Sequence, residues 1–216
     1  MDINNLDYYE YKFNDKHYKW MMEQQWEARE QGIEYYHKLA QHEFKQFVDQ
    51  IDQPKVVLEL GCGLGRSSVY LNHLLKDDSV QFVLADRDGK TDNTGAFNPE
   101  TDEYYNDLEQ TEDFCKYNGI KNIITMDTES DAWNTIPKAD LILSTCSFGM
   151  HVAIERYMER ILIASKPTTT MIFGTRANYG PNSFRNRFQE VLFRPGPDSR
   201  PYYPIEHWLI LKNPLI

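Results

Sequence analysis

The chain has 216 residues, 41% of them hydrophobic and 26% charged, which excludes collagen, rods and bulk disorder and suits one domain with a sizeable core. Its mean hydropathy is −0.64, and its best apolar stretch, Val56 to Leu60, is interrupted by Glu59, so no transmembrane helix is expected. The net charge of −10 disfavours a partner with a phosphate backbone, so no nucleic acid and no membrane is expected as partner.

The acidity is concentrated. Ten acids lie between Asp86 and Asp113 against Arg87 and Lys90, so this stretch supplies −8 of the −10. It reads first as a solvated loop that keeps the protein soluble, with a site for a cation or an amine substrate as the alternative. The segment Gly174 to Arg200 leans the other way, with five arginines including Arg176, a composition suited either to a carboxylate or phosphate on a small molecule or, equally, to balancing the acidic surface. Cys62, Cys115 and Cys146 are an odd set without metal-type spacing and read as reduced thiols of a cytoplasmic protein. The polar, acidic N-terminal stretch does not read as a targeting signal.

In chain order, residues 15–50 read as helix, with Trp26, Ile33, Tyr36, Leu39, Phe44 and Phe47 near helical spacing. Pro54 ends this region, so residues 1–54 are expected to form a helical extension or lid and 55–216 the main domain. Lys55 to Leu60 reads as a buried strand, Gly61 to Gly65 as a glycine turn and Ser67 to Lys76 as a helix. A second strand, Val80 to Ala85, ends at Asp86, and a loop continues to about Pro99. Residues 102–118 read as a helix closed by Asn118-Gly119. Strands come next at Asn122 to Met126, ending at Asp127, and at Ala139 to Ser144. A helix over Val152 to Ser165 stops at Pro167, and a fifth strand covers Thr168 to Gly174. A short helix near Ser183 precedes two strand-like pieces, around Val191 and at Trp208 to Leu211, split by a turn from Pro195 to Pro204. Strand and helix alternate from 55 to 174, which predicts an α/β, doubly wound, mostly parallel sheet. Ligands of such sheets bind beyond the carboxyl ends of the strands, where Gly61, Asp86, Asp127 and the segment after Ser144 fall.

The glycine turn narrows the ligand. A dinucleotide fingerprint wants a small residue at position 66, which here is Arg66, and no Lys-Ser/Thr pair follows for a P-loop. Glu59, two residues before the first glycine, is awkward beside a pyrophosphate and suits an ammonium group. The motif Glu59-x-Gly61-x-Gly63-x-Gly65 after a strand resembles the first motif of class I S-adenosylmethionine-dependent methyltransferases. Asp86, Asp127 and Asp140-Leu-Ile-Leu-Ser144 follow in the family's order. The resemblance covers about residues 55–175. It implies a seven-stranded Rossmann-like methyltransferase sheet and S-adenosylmethionine as cofactor. It places the glycine loop against the methionine part, Asp86 at the ribose hydroxyls and Asp127 by the adenine. The contacts it implies come from Glu59, Gly61, Cys62, Gly63, Gly65, Asp86, Arg87, Asp127, Thr128, Ser144 and Thr145. Cys146-Ser-Phe-Gly-Met-His151, with Ile154-Glu-x-Tyr157, Tyr104 to Leu108 and Asn118-Gly-Ile120, is similar to stretches of sugar O-methyltransferases. Phe148 and Met150 stand where that group has Trp and Phe.

Methyl transfer is an in-line displacement, which gains much from positioning. A hydroxyl acceptor also has to lose a proton, and His151, after the fourth strand, is the candidate general base. Its alternative is a helix-start histidine that binds without proton transfer. Ser147, Phe148, Arg176, Tyr11 and Trp20 are candidates for the acceptor pocket, the last two through an aromatic N-terminal lid. Removing residues 1–20 is then expected to cost more activity than thermal stability. His207, Tyr202 and Tyr203 are weaker candidates, and His17, His37, His42 and His73 read as surface or capping residues. No carboxylate follows Ser144, so no metal is expected, and the turn lacks the prolines typical of nucleic-acid amino methyltransferases. The reading is methyl transfer to a small-molecule acceptor at a hydroxyl oxygen. Three alternatives stay open: N-methylation of a small amine, a non-catalytic cofactor-binding relative, and an NAD-linked oxidoreductase.

Overall fold

The structure is a computed structural model; it describes residues 6–24, 26–89, 97–98, 103–104, 106–176, 179, 184–196 and 205–216. Three helices open the chain: α1 (Asp15–Gln24), α2 (Trp26–Gln31) and α3 (Ile33–Phe44). The single helical region read from the sequence is thus divided. Gly32, at φ +83°, breaks the path before α3, a backbone angle that costs glycine little.

The core is a seven-stranded sheet. Its strands are β1 (Val56–Leu60), β2 (Gln81–Asp86), β5 (Asn122–Asp127), β6 (Ala139–Ser144), β7 (Ser165–Thr175), β8 (Phe188–Pro195) and β9 (His207–Pro214). They run in the order β5-β2-β1-β6-β7-β9-β8. The first five are parallel, and β9 pairs antiparallel with both β7 and β8. The order reverses at β1, with β2 on one side and β6 on the other, so the switch point opens at the carboxyl ends of these strands. Strands β1 and β6 are buried over nearly their whole length, as parallel strands covered on both faces must be.

Side-chain alternation along β1 sorts the core into two layers. Val57 joins Phe44, Phe47, Tyr70, Phe82, Phe114 and Trp208 on one face, under α3, α4 (Arg66–Leu75) and α5 (Leu108–Tyr117). Leu58 and Leu60 join Trp133, Phe148, Tyr157, Met158 and Phe173 on the other, under α6 (Ile154–Ile163).

Several expectations are corrected here. The helix expected over 102–118 starts only at Leu108. Asp107 caps it, its carboxylate accepting from the N–H groups of Glu109 and Gln110 at 3.1 and 3.2 Å. Ahead of it, β3 (Phe97–Asn98) pairs antiparallel with β4 (Glu103–Tyr104), so the acidic stretch contains a short ribbon. Strand β7 begins at Ser165, before Pro167, and its register against β6 shifts between Ala139 and Leu141. That irregularity accommodates a proline that cannot donate to a ladder. His17 and His37 are buried, not surface residues: His17 Nε2 lies 2.8 Å from Asp113 Oδ2, and His37 Nδ1 accepts from the Tyr11 N–H at 3.0 Å. Ser183, Tyr202 and Tyr203, and most of the turn from Pro195 to Pro204, lie outside the described residues.

The N-terminal segment is woven into the first layer. Tyr11 and Met21 are buried in its core. The Tyr70 hydroxyl donates to Asp7 O at 2.9 Å, the Lys12 N–H to Asn118 Oδ1 at 2.8 Å, and Gln41 Nε2 to Leu6 O at 2.7 Å. Residues 6–22 are therefore part of the packed fold. All three cysteines are free thiols. Among the described residues, no helix is long and apolar enough to cross a membrane.

Candidate cofactor and acceptor site

The glycine turn joins β1 to α4. Gly61, Gly63 and Gly65 all have positive φ, at +63°, +51° and +82°. The need for glycine is steric at two of them. A Cβ on Gly61 would stand 2.1 Å from the Ser147 Cβ, and one on Gly65 would stand 2.4 Å from the Cys115 Sγ. The N–H groups of Gly61 and Cys62 both reach Ala85 O on β2, at 2.7 and 3.2 Å, which pins the turn to its neighbouring strand.

Residues the sequence did not single out hold the turn from the other side. Asn106 Nδ2 donates to Gly63 O at 2.7 Å and to Thr111 Oγ1 at 2.9 Å, and Thr111 Oγ1 donates to Gly63 O at 2.5 Å. Asn106 lies inside the Tyr104 to Leu108 stretch, so a signal for it was present without a role attached. Arg66, the first residue of α4, is buried and pairs with the fully buried Glu43 of α3 at 2.9 Å. Its carbonyl accepts from the Tyr11 hydroxyl at 3.1 Å.

Glu59 is 3% exposed and faces α4. Its Oε2 accepts from the Ser68 N–H at 3.0 Å and from the Ser68 hydroxyl at 2.5 Å. The residue before α4, Gly65, has no side chain to cap the helix, and the strand carboxylate takes over that task. Burial pushes its pKa up to about 7, with the Ser68 contacts opposing. Glu59 thus caps the start of α4 through its Oε2.

Asp86 and Asp127 end the neighbouring strands β2 and β5 and are register partners. Asp86 is half-buried; its Oδ2 accepts from the Gly63 N–H and its Oδ1 from the Arg87 N–H, each at 2.8 Å. Burial raises its pKa to about 6, and the nearby Asp127 adds to the rise. Thr128 is buried, its N–H donating to Asp86 O at 2.9 Å and its carbonyl accepting from Trp133 Nε1 at 3.1 Å. Arg87, half-buried, accepts from the Asn106 N–H through its carbonyl at 2.9 Å. At the end of β6, Ser144 Oγ accepts from the Phe148 N–H at 3.0 Å, and Thr145 Oγ1 meets Ser67 Oγ at 3.1 Å. The contact between the two hydroxyls ties the end of β6 to α4 across the switch point.

The remaining candidates divide. Ser147 is half-buried against Gly61, and its carbonyl accepts from the His151 N–H at 2.8 Å. His151 and Arg176 are exposed. Phe148 is only 3% exposed, its ring 5.0 Å from that of Tyr157, so it packs the second core layer. Tyr11 is buried among Tyr36, His37 and Phe114. Trp20 is half-buried against the first core layer. The structure thus gathers Gly61, Gly63, Asp86, Asp127, Thr145, Ser147 and His151 at one end of the sheet and draws Phe148 and Tyr11 into the packing. Among the described residues, no group of three or more His, Cys, Asp or Glu side chains is placed to hold a metal ion.

A strand order with a terminal antiparallel pair, and a glycine turn after the central strand, define the fold of class I S-adenosylmethionine-dependent methyltransferases. Solved structures agree. The chain superposes on the O-methyltransferase TomG of Streptomyces achromogenes, involved in tomaymycin synthesis and solved with S-adenosylmethionine, with TM-score 0.53 and 14% identity over 94% of this chain and 92% of that one. It also superposes on a chain of a fibrillarin/Nop5p complex, with TM-score 0.51 and 12% identity over 76% and 75%. No protein-family model and no curated protein matches the chain.

Proposed function

We propose that the chain is an S-adenosylmethionine-dependent methyltransferase acting on a hydroxyl oxygen of a small molecule such as a sugar. The observation that carries this reading is the pair of adjacent carboxylates, Asp86 and Asp127, beside a glycine turn braced on both sides. The donor chemistry fits the cofactor: a ribose diol offers two O–H donors, and Asp86 ends β2 with a carboxylate whose pKa burial has raised, so added donors would stabilise its charged form. Asp86 would hold the ribose, Asp127 and Thr128 would border the adenine, and Gly61 to Gly63 would lie along the methionine part. The cofactor, when bound, supplies an electrophilic methyl group on a sulfonium.

The chain's own part is to position and deprotonate. The turn from Ser147 to Val152 follows the carboxyl end of β6, and His151 on it is the residue we assign to the acceptor. Its imidazole takes the proton of the acceptor hydroxyl as the oxygen attacks. His151→Ala is expected to lower kcat about 10²- to 10⁴-fold while leaving cofactor affinity unchanged. An unchanged kcat would assign the proton to another group. The reading as a whole is tested by calorimetric titration with S-adenosylhomocysteine, with NAD as control. Binding of the first alone supports it; binding of NAD, or of neither, overturns it.

A further inference from the structure

Helix α6 grips the end of β5 and the loop after it. The Tyr157 hydroxyl donates to Glu129 Oε1, and Arg160 Nη1 donates to Thr128 O at 2.8 Å. The Glu129 N–H in turn donates to Asp127 Oδ1 at 2.9 Å. The Ser130 N–H and hydroxyl both donate to Asp127 O, at 3.0 and 2.6 Å. A path from α6 to the Asp127 carboxylate therefore runs through one residue, Glu129, held at its side chain by Tyr157 and holding Asp127 with its backbone. Thr128 is tied down separately, by Trp133 Nε1 and by Asp86 O, so freeing Glu129 leaves the loop's middle in place.

The contacts on Glu129 are unequal. Arg156 and Arg160 also lie near its carboxylate, at 3.6 and 3.7 Å, but both side chains are open to water, where such pairs count for little. Tyr157 is only 6% exposed. Its ring packs edge-on at 5.0 Å from Phe148 and at 6.4 Å from Trp133, which fixes where the hydroxyl points. Burial, and then Glu129 itself, raises the pKa of the phenol, so the hydroxyl keeps the proton it donates. A packed donor to a carboxylate is the strong and directional member of this set.

We infer that Tyr157 is a positioning residue for the cofactor's base: through Glu129 it sets the Asp127 carboxylate to accept from the 6-amino group of adenine, and so favours adenine over a 6-oxo purine. This deepens the proposed function and rests on its placement of Asp127. Adenine carries a donor at position 6 and hypoxanthine an acceptor, so a fixed carboxylate attracts the first and repels the second. The test is calorimetric titration with S-adenosylhomocysteine and S-inosylhomocysteine. The native chain is expected to bind the adenine compound about tenfold or more tighter. Tyr157→Phe keeps the packed ring and loses the donor. It is expected to weaken S-adenosylhomocysteine about two- to thirtyfold and to leave S-inosylhomocysteine within about twofold. Glu129→Ala, at an exposed position, is expected to do the same, and the double variant to add nothing further, since both changes cut one path. A role in stability alone would lower the urea midpoint and leave the ratio of the two affinities unchanged. An unchanged ratio in both single variants, equal weakening of both ligands, or additive losses in the double variant would overturn the inference. So would a native chain that binds both compounds equally, with the cofactor reading left standing. Absence of S-adenosylhomocysteine binding to the native chain would overturn the cofactor reading, and this inference with it.

Discussion

Two carboxylates, the buried Glu59 and the half-buried Asp86, govern how single residues respond to pH. Glu59 has its pKa raised from 4.5 to about 7. Between these values the folded chain keeps a proton that the unfolded chain has lost, so its share of stability is full below about 4.5 and is lost as pH rises through about 7. Glu59→Gln keeps an acceptor for Ser68 and removes the titration. Relative to the native chain, this variant is expected to gain on the order of 2 kcal/mol between pH 5 and pH 8, read by urea unfolding. Parallel profiles would mean that Glu59 stays charged. Asp86 titrates near 6 for the same reason, burial. In the proposed cofactor site ribose hydroxyls would donate to its charged form, so affinity for S-adenosylhomocysteine is expected to be flat above pH 7 and to fall toward tenfold per pH unit below 6. Asp86→Asn should bind weakly with that pH dependence removed. These two positions also show what a sequence carries at this scale. Asp86 could be read from its place after an apolar strand. The capping role of Glu59 could not, because its partner Ser68 lies across a turn whose path depends on three left-handed glycines.

Among the elements, the N-terminal segment departs most from its reading. A lid would be separable, and residues 6–22 pack into the core. They place Tyr11, His17 and Met21 in the first core layer, and their backbone and side chains bond to α3, α4 and α5. Truncating one buried aromatic residue costs about 3–5 kcal/mol. Removing residues 1–20 is therefore expected to lower Tm by more than about 10 °C, or to leave the chain unfolded. Calorimetry of the truncated chain checks this; a Tm within a few degrees of the full chain would restore the separable lid. Helix α5 shows the same limit of local reading. Residues 102–107 have a helix-compatible composition, but Asp107 caps the helix at Leu108, and Asn106 is spent on Gly63 O.

Across the whole molecule, the charge and the fold divide the labour. The carboxyl ends of the parallel strands gather the glycine turn, Asp86, Asp127 and Ser147 at one end of the sheet, while the acid excess of the sequence lies on the segment after β2. The alternation of apolar strands with helices was enough to derive a parallel, doubly wound sheet, since strand burial and helix period are local properties of the chain. The glycine turn and the two aspartates were legible for the same reason: each is defined by its neighbours in sequence. The order β5-β2-β1-β6-β7-β9-β8, the Glu43–Arg66 pair, the bracing of Gly63 by Asn106 and Thr111, and the bond between the Arg176 N–H and Gly149 O were decided only by tertiary structure. The Glu43–Arg66 pair spans 23 positions and the Thr111–Gly63 bond 48. No local period or propensity records which distant groups a folded chain brings within hydrogen-bonding distance.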